Sequence, residues 1–103
     1  MITIMNKEER NMKMVVRLNQ YTTEYVSLEK QKEDFYKSHY HDITREAIHS
    51  LYLQQSYIDS VVRNIVKTVR YLIDEQVDFD NEVATIIFNY YDPLIKRGLS
   101  DLF

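Results

Sequence analysis

Between Ile43 and Val77 the residues Ile48, Leu51, Ile58, Val62, Ile65, Val69 and Leu72 recur at alternating spacings of three and four, with Gln55 as the one polar member of the series. That is the apolar seam of one long helix. Val61, Val66 and Ile73 lie beside the seam and widen it. A helix with so broad an apolar face has to be covered from more than one side. The pattern therefore predicts a helix over about 43–76 in the middle of a bundle.

Turn chemistry points the same way. The chain holds a single glycine, Gly98, and a single proline, Pro93. Sheet proteins need many sharp turns, so the expected class is all-α. At 103 residues the chain is one domain, able to hide about two-thirds of its unfolded surface. The expected architecture is a small helical bundle of two long helices, one medium helix and a short C-terminal helix, over about 7–37, 43–76, 79–91 and 93–97.

The first helix repeats the central logic with a weaker face. Met14, Leu18, Tyr21, Tyr25, Leu28, Lys32 and Phe35 follow the same alternation, flanked by Val15 and Tyr36, and Lys32 breaks the seam. The stretch Ser38-His39-Tyr40-His41-Asp42 reads as a turn, with Asp42 as N-cap of the central helix. It contains no Gly or Pro, so one unbroken helix is the competing reading. After Gln76, Asp78 is the expected N-cap of the third helix, with Asp80 and Glu82 in its first turn, where the helix dipole favours negative charge. Asp92-Pro93 predicts a break and a short last helix closed by Gly98. Leu99, Leu102 and Phe103 form an apolar tail.

Cysteine is absent, which removes disulfides, thiolate metal sites and cysteine nucleophiles. No apolar run reaches the length of a signal peptide or a membrane span, so the expected location is cytoplasmic, with no membrane partner. The net charge of −3 argues against indiscriminate coating of nucleic acid. It is unevenly spread: residues 1–70 hold 11 Lys/Arg against 9 Asp/Glu, and residues 71–103 hold 2 against 7.

Motifs for chemistry are weak. Glu46 and His49 have the spacing of one half of a di-iron helix motif, but no second pair exists and both fall on the polar side of the seam. A solvated face is the simpler reading, and no metal or cofactor is expected. The serines lie in no glycine elbow, and a phosphate-cradling glycine loop cannot be built from one glycine. The five carboxylates Asp74, Glu75, Asp78, Asp80 and Glu82 lack the loop glycine and ligand spacing of a calcium site. No enzymatic activity is expected.

Two surfaces are left as candidates. Arg63, Lys67 and Arg70, bordered by Tyr71, share the outer face of the central helix and could grip phosphates of a nucleic acid or nucleotide. The bland alternative is a solvated face paired with carboxylates of another helix. A helix-turn-helix with Leu53–Ser56 as its turn and Tyr57–Tyr71 as its reading helix is a variant of the phosphate reading. The second surface is the acidic segment Asp74, Glu75, Asp78, Asp80 and Glu82 together with the aromatic residues Tyr90, Tyr91 and Phe103, which would contact a protein partner. The leading expectation is a non-enzymatic interaction protein, of the phage- or mobile-element-type regulator or inhibitor kind, that binds and blocks or adapts a macromolecule. Size and class are also compatible with bacteriocin immunity proteins, without a motif match. Unmatched apolar surface on two tyrosine-rich helices makes a homodimer the expected form.

The seam carries its own test. Val62→Asp should bury an unpaired carboxylate and cost several kcal/mol, read as a lowered denaturant midpoint by circular dichroism. A variant as stable as the wild type would show that the seam is misplaced.

Overall fold

The computed structural model describes the backbone of residues 6–102 and the side chains of residues 6–91. It contains three helices: α1 (Lys7–His39), α2 (Arg45–Asp74) and α3 (Asn81–Leu102). No strand occurs among the described residues, so the chain is all-α and bundled around α2. The competing single helix through residues 38–42 is ruled out, because α1 stops at His39 and a turn follows.

Each boundary has a local cause. Asn6 caps α1, its Oδ1 accepting from the Glu9 amide at 2.8 Å. The cap of α2 is Thr44, whose Oγ1 accepts from the Ala47 amide at 3.1 Å, and not Asp42 as the sequence suggests. Both residue types suit an N-cap, and α2 begins at Arg45, so the residue directly ahead of it takes the role. Likewise Asp80, not Asp78, caps α3: its Oδ1 accepts from the Glu82 amide at 3.0 Å.

The end of α2 is a Schellman turn. The Val77 amide bonds back to the Leu72 carbonyl at 2.9 Å and the Gln76 amide to the Ile73 carbonyl at 3.1 Å. Gln76 adopts φ 57°, the left-handed region usually given to glycine. The turn tucks Val77 and Phe79 against the core, a contribution that the acidic character of this segment conceals.

The expected medium and short C-terminal helices are one helix in the structure, since α3 runs to Leu102. Proline inside a helix removes one amide donor and crowds the carbonyl four residues earlier. That cost does not end the helix here, and α3 continues through Pro93. The expected apolar tail, Leu99, Leu102 and Phe103, lies outside the residues whose side chains are described.

The core follows the seam of α2. Ile58, Ile65 and Leu72 are fully buried, and Val61, Val62 and Val69 nearly so. From α1, Leu18 is buried, and Met14, Val15, Tyr21, Tyr25 and Leu28 pack around it. α1 and α2 form an antiparallel hairpin, tied near its open end by Tyr71 Oη donating to Asn11 Oδ1 at 3.0 Å and by the Lys7–Glu75 ion pair at 3.0 Å. α3 supplies Val83, 1% exposed, and Ile87. The first third of the α2 seam is less covered than its periodicity predicts. Ile48 is 45% exposed, and a hollow of about 340 Å³ lies between Lys32, Ile48, Leu51, Tyr52 and Gln55.

A non-glycine residue at positive φ carries strain of about 1 kcal/mol. Gln76→Gly should therefore raise the unfolding free energy by up to about 1 kcal/mol in urea titrations. A loss of stability would mean that the Gln76 side chain matters more than the backbone it occupies.

Candidate functional site

Of the two candidate surfaces, Arg70 from the basic stripe and Tyr91 from the aromatic group meet at a hollow between α2 and α3. Arg63, Lys67 and Arg70 are all exposed on α2. None of them makes an ion pair among the described residues. Their one polar contact among the described residues is Arg63 Nε, which donates to the Asp59 backbone carbonyl at 3.4 Å. The expectation that a neighbouring helix would neutralise this stripe is not met among those residues. Tyr71 follows Lys67 by one helical turn. It is half-buried, packs on the core and donates across to α1.

The acidic segment divides into two groups. Glu75 is held by Lys7, and Asp80 is engaged as the α3 cap. Asp74, Asp78 and Glu82 are exposed and make no ion pair among the described residues.

The adjacent tyrosines point different ways. Tyr90 turns inward, its hydroxyl donating to Asp59 Oδ1. The same oxygen accepts from Gln55 Nε2 at 2.9 Å, and Lys32 Nζ donates to Gln55 Oε1 at 2.9 Å. The two polar breaks in the seams, Lys32 and Gln55, therefore meet each other and link all three helices through Asp59 and Tyr90. Burial first, and the Asp59 carboxylate second, push the Tyr90 hydroxyl well above the usual phenol range. Burial, with the Glu29 carboxylate beside it, pushes Tyr25 up to about 12. Tyr91 packs edge-on against Tyr90, ring centroids 5.1 Å apart, and faces the other way. Phe103 lies outside the described residues.

Tyr91 and Arg70 line one hollow. This groove of about 500 Å³ runs between α2 and α3, walled by Val66, Val69, Ile73, Ile87 and Phe88. Among the described residues its wall is almost wholly apolar, with Arg70 the one charged residue on it. Ile73 is 60% exposed and Phe88 71% exposed. Periodicity assigned Ile73 to the flank of the core and drew no attention to Phe88. The signal that could have found Ile73 is its pairing with Val66, seven residues earlier, on the side of the seam; no pattern in the sequence marks Phe88.

Other candidates do not assemble. The proposed helix-turn-helix is excluded because α2 is continuous through Leu53–Ser56. Glu46 and His49 are exposed, His39 Nδ1 donates to the Phe35 carbonyl at 2.9 Å, and no three metal-ligating side chains converge among the described residues. No helix among those residues is long and apolar enough to cross a membrane. Comparison with protein-family models, curated proteins and solved structures gives no match.

The polar chain makes an alkaline prediction. Tyr25 and Tyr90 hold their protons to higher pH in the native state than in the unfolded chain, where phenols titrate near pH 10. Above about pH 10 the unfolded state releases protons that the native state keeps, so stability should fall as pH rises. Tyr90→Phe should cost about 1 kcal/mol at neutral pH and flatten that fall, measured by urea midpoints across the alkaline range. A slope unchanged in both Tyr25→Phe and Tyr90→Phe would contradict the assignment.

Proposed function

We propose that this chain is a non-enzymatic interaction protein, a regulator or inhibitor that works as a homodimer and binds a macromolecular partner to block or adapt it. The observation that carries this reading is the α2–α3 groove, an apolar hollow whose walls include Ile73 and Phe88, both more than half exposed. Water-exposed aromatic and aliphatic side chains gathered around one hollow mark a contact surface. The exposed carboxylates Asp78 and Glu82, in the turn before α3 and in its first turn, would steer a basic partner surface. With a partner captured from the native host and purified, Phe88→Asp should abolish binding. Reversing Asp78 and Glu82 to lysine should slow association without changing the fold. Retention of full affinity in Phe88→Asp would refute the groove as the contact.

A second reading has support from one observation. Arg63, Lys67 and Arg70 are exposed and without ion pairs among the described residues, as a phosphate-binding stripe requires. If the ligand is a nucleic acid, the logarithm of affinity should fall with that of salt by about 0.7 to 0.9 per phosphate contact. Lys67→Glu should then abolish a mobility shift on short oligonucleotides. No shift with the wild type would reject this reading.

A further inference from the structure

We propose that a hollow between the middle of α1 and the middle of α2 binds a primary amine, an ammonium group carried on a short apolar stem. This hollow shares no lining residue with the α2–α3 groove and does not depend on how that groove is read.

The site is built by helical spacing. Glu24, Leu28 and Gln31 stand four and three residues apart, so one face of α1 presents them together. Gln54, Tyr57, Val61 and Asn64 do the same on α2, at spacings of three, four and three. The antiparallel hairpin sets these two faces around a hollow of about 480 Å³. That volume falls in the range of roughly 300 to 1,000 Å³ usual for small-molecule sites. Both walls belong to the two long helices, so the site is held by the same packing that holds the hairpin.

What the wall lacks decides the ligand. Gln54 Nε2 donates to Ser50 Oγ at 3.3 Å, and Gln31 Nε2 donates to Ser27 Oγ at 3.2 Å. Each amide therefore uses a donor within its own helix, and its carbonyl oxygen stays uncommitted among the described residues. Gln54 Oε1 is shielded from solvent and has no hydrogen-bond partner there. A hidden acceptor without a donor is costly, so the site favours a molecule that brings one. The Glu24 carboxylate is the one charge on the wall, and it is in no ion pair among the described residues. No Lys, Arg or His lines the hollow among those residues.

Two amide oxygens and a carboxylate, drawn from two helices, call for a cation with several N–H donors. A primary ammonium has that charge and that donor set on one atom. The apolar part of the wall, Leu28 and Val61, suits a short hydrocarbon stem. The ring of Tyr57, 64% exposed, adds apolar area and a face that attracts a cation.

Titration calorimetry of the full chain with phenethylammonium chloride tests the site. The wild type should bind this amine. Phenethyl alcohol, which has the same stem and no charge, should not bind. Phenethyltrimethylammonium keeps the charge but has no N–H donor, and should bind about tenfold more weakly. Glu24→Gln removes the charge at an exposed position and should raise the Kd about tenfold. Gln54→Leu removes the unpartnered acceptor and should also weaken binding. Should Gln54→Leu lose its helical circular dichroism, Glu24→Gln decides alone. Phe88→Asp, which alters the α2–α3 groove, should bind the amine as the wild type does.

Absence of heat at millimolar amine would overturn the proposal. So would equal binding of the alcohol or of the quaternary ammonium, or an affinity unchanged in Glu24→Gln. Loss of binding in Phe88→Asp with retention in Glu24→Gln would place the amine in the α2–α3 groove and overturn it as well.

Discussion

The broad apolar face of α2 is the constraint on which the rest of the structure depends. One helix cannot bury residues on both sides of a seam against a single neighbour. α1 therefore covers one side, with Leu18 and its tyrosine neighbours, and α3 covers another, with Val83 and Ile87. Burying each large aliphatic side chain contributes about 1.5 to 3 kcal/mol, so the row from Ile58 to Leu72 dominates the stabilisation. Where α2 runs beyond that row, at Ile48, the apolar face is left partly in water.

Polar groups then set the register that apolar packing leaves loose. Lys32, Gln55, Asp59 and Tyr90 form a chain of hydrogen bonds across three helices. Sliding any helix by one turn would leave these groups without partners in a partly dry environment, which costs more than the bonds themselves contribute. The Schellman turn at Gln76 does similar work in the loop. It reverses the chain tightly enough to place Val77 and Phe79 on the core and to start α3 alongside α2.

Function is less directly encoded than fold. The basic stripe and the acidic segment look like sites for two different ligands when read along the chain. In three dimensions Arg70 of the basic stripe lines the α2–α3 groove, while Glu75 and Asp80 of the acidic segment are engaged by Lys7 and by the start of α3. Tyr71 and Tyr90, which looked available from their neighbours in sequence, are committed to internal hydrogen bonds with Asn11 and Asp59. Phe88, which no motif singled out, is exposed at the groove.

What the sequence determined by itself is local and periodic. The three- and four-residue recurrence of apolar side chains named the long helices and their buried rows, because a helix has one period and water excludes from only one face at a time. The scarcity of glycine and proline set the class. What the tertiary structure alone decided is which polar residues are occupied. Thr44 rather than Asp42 caps α2, Asp80 rather than Asp78 caps α3, and Lys32 meets Gln55 across the hairpin. Several side chains in each stretch could have made those bonds. The choice falls to the one whose backbone the packing brings within reach, and no local pattern contains that distance.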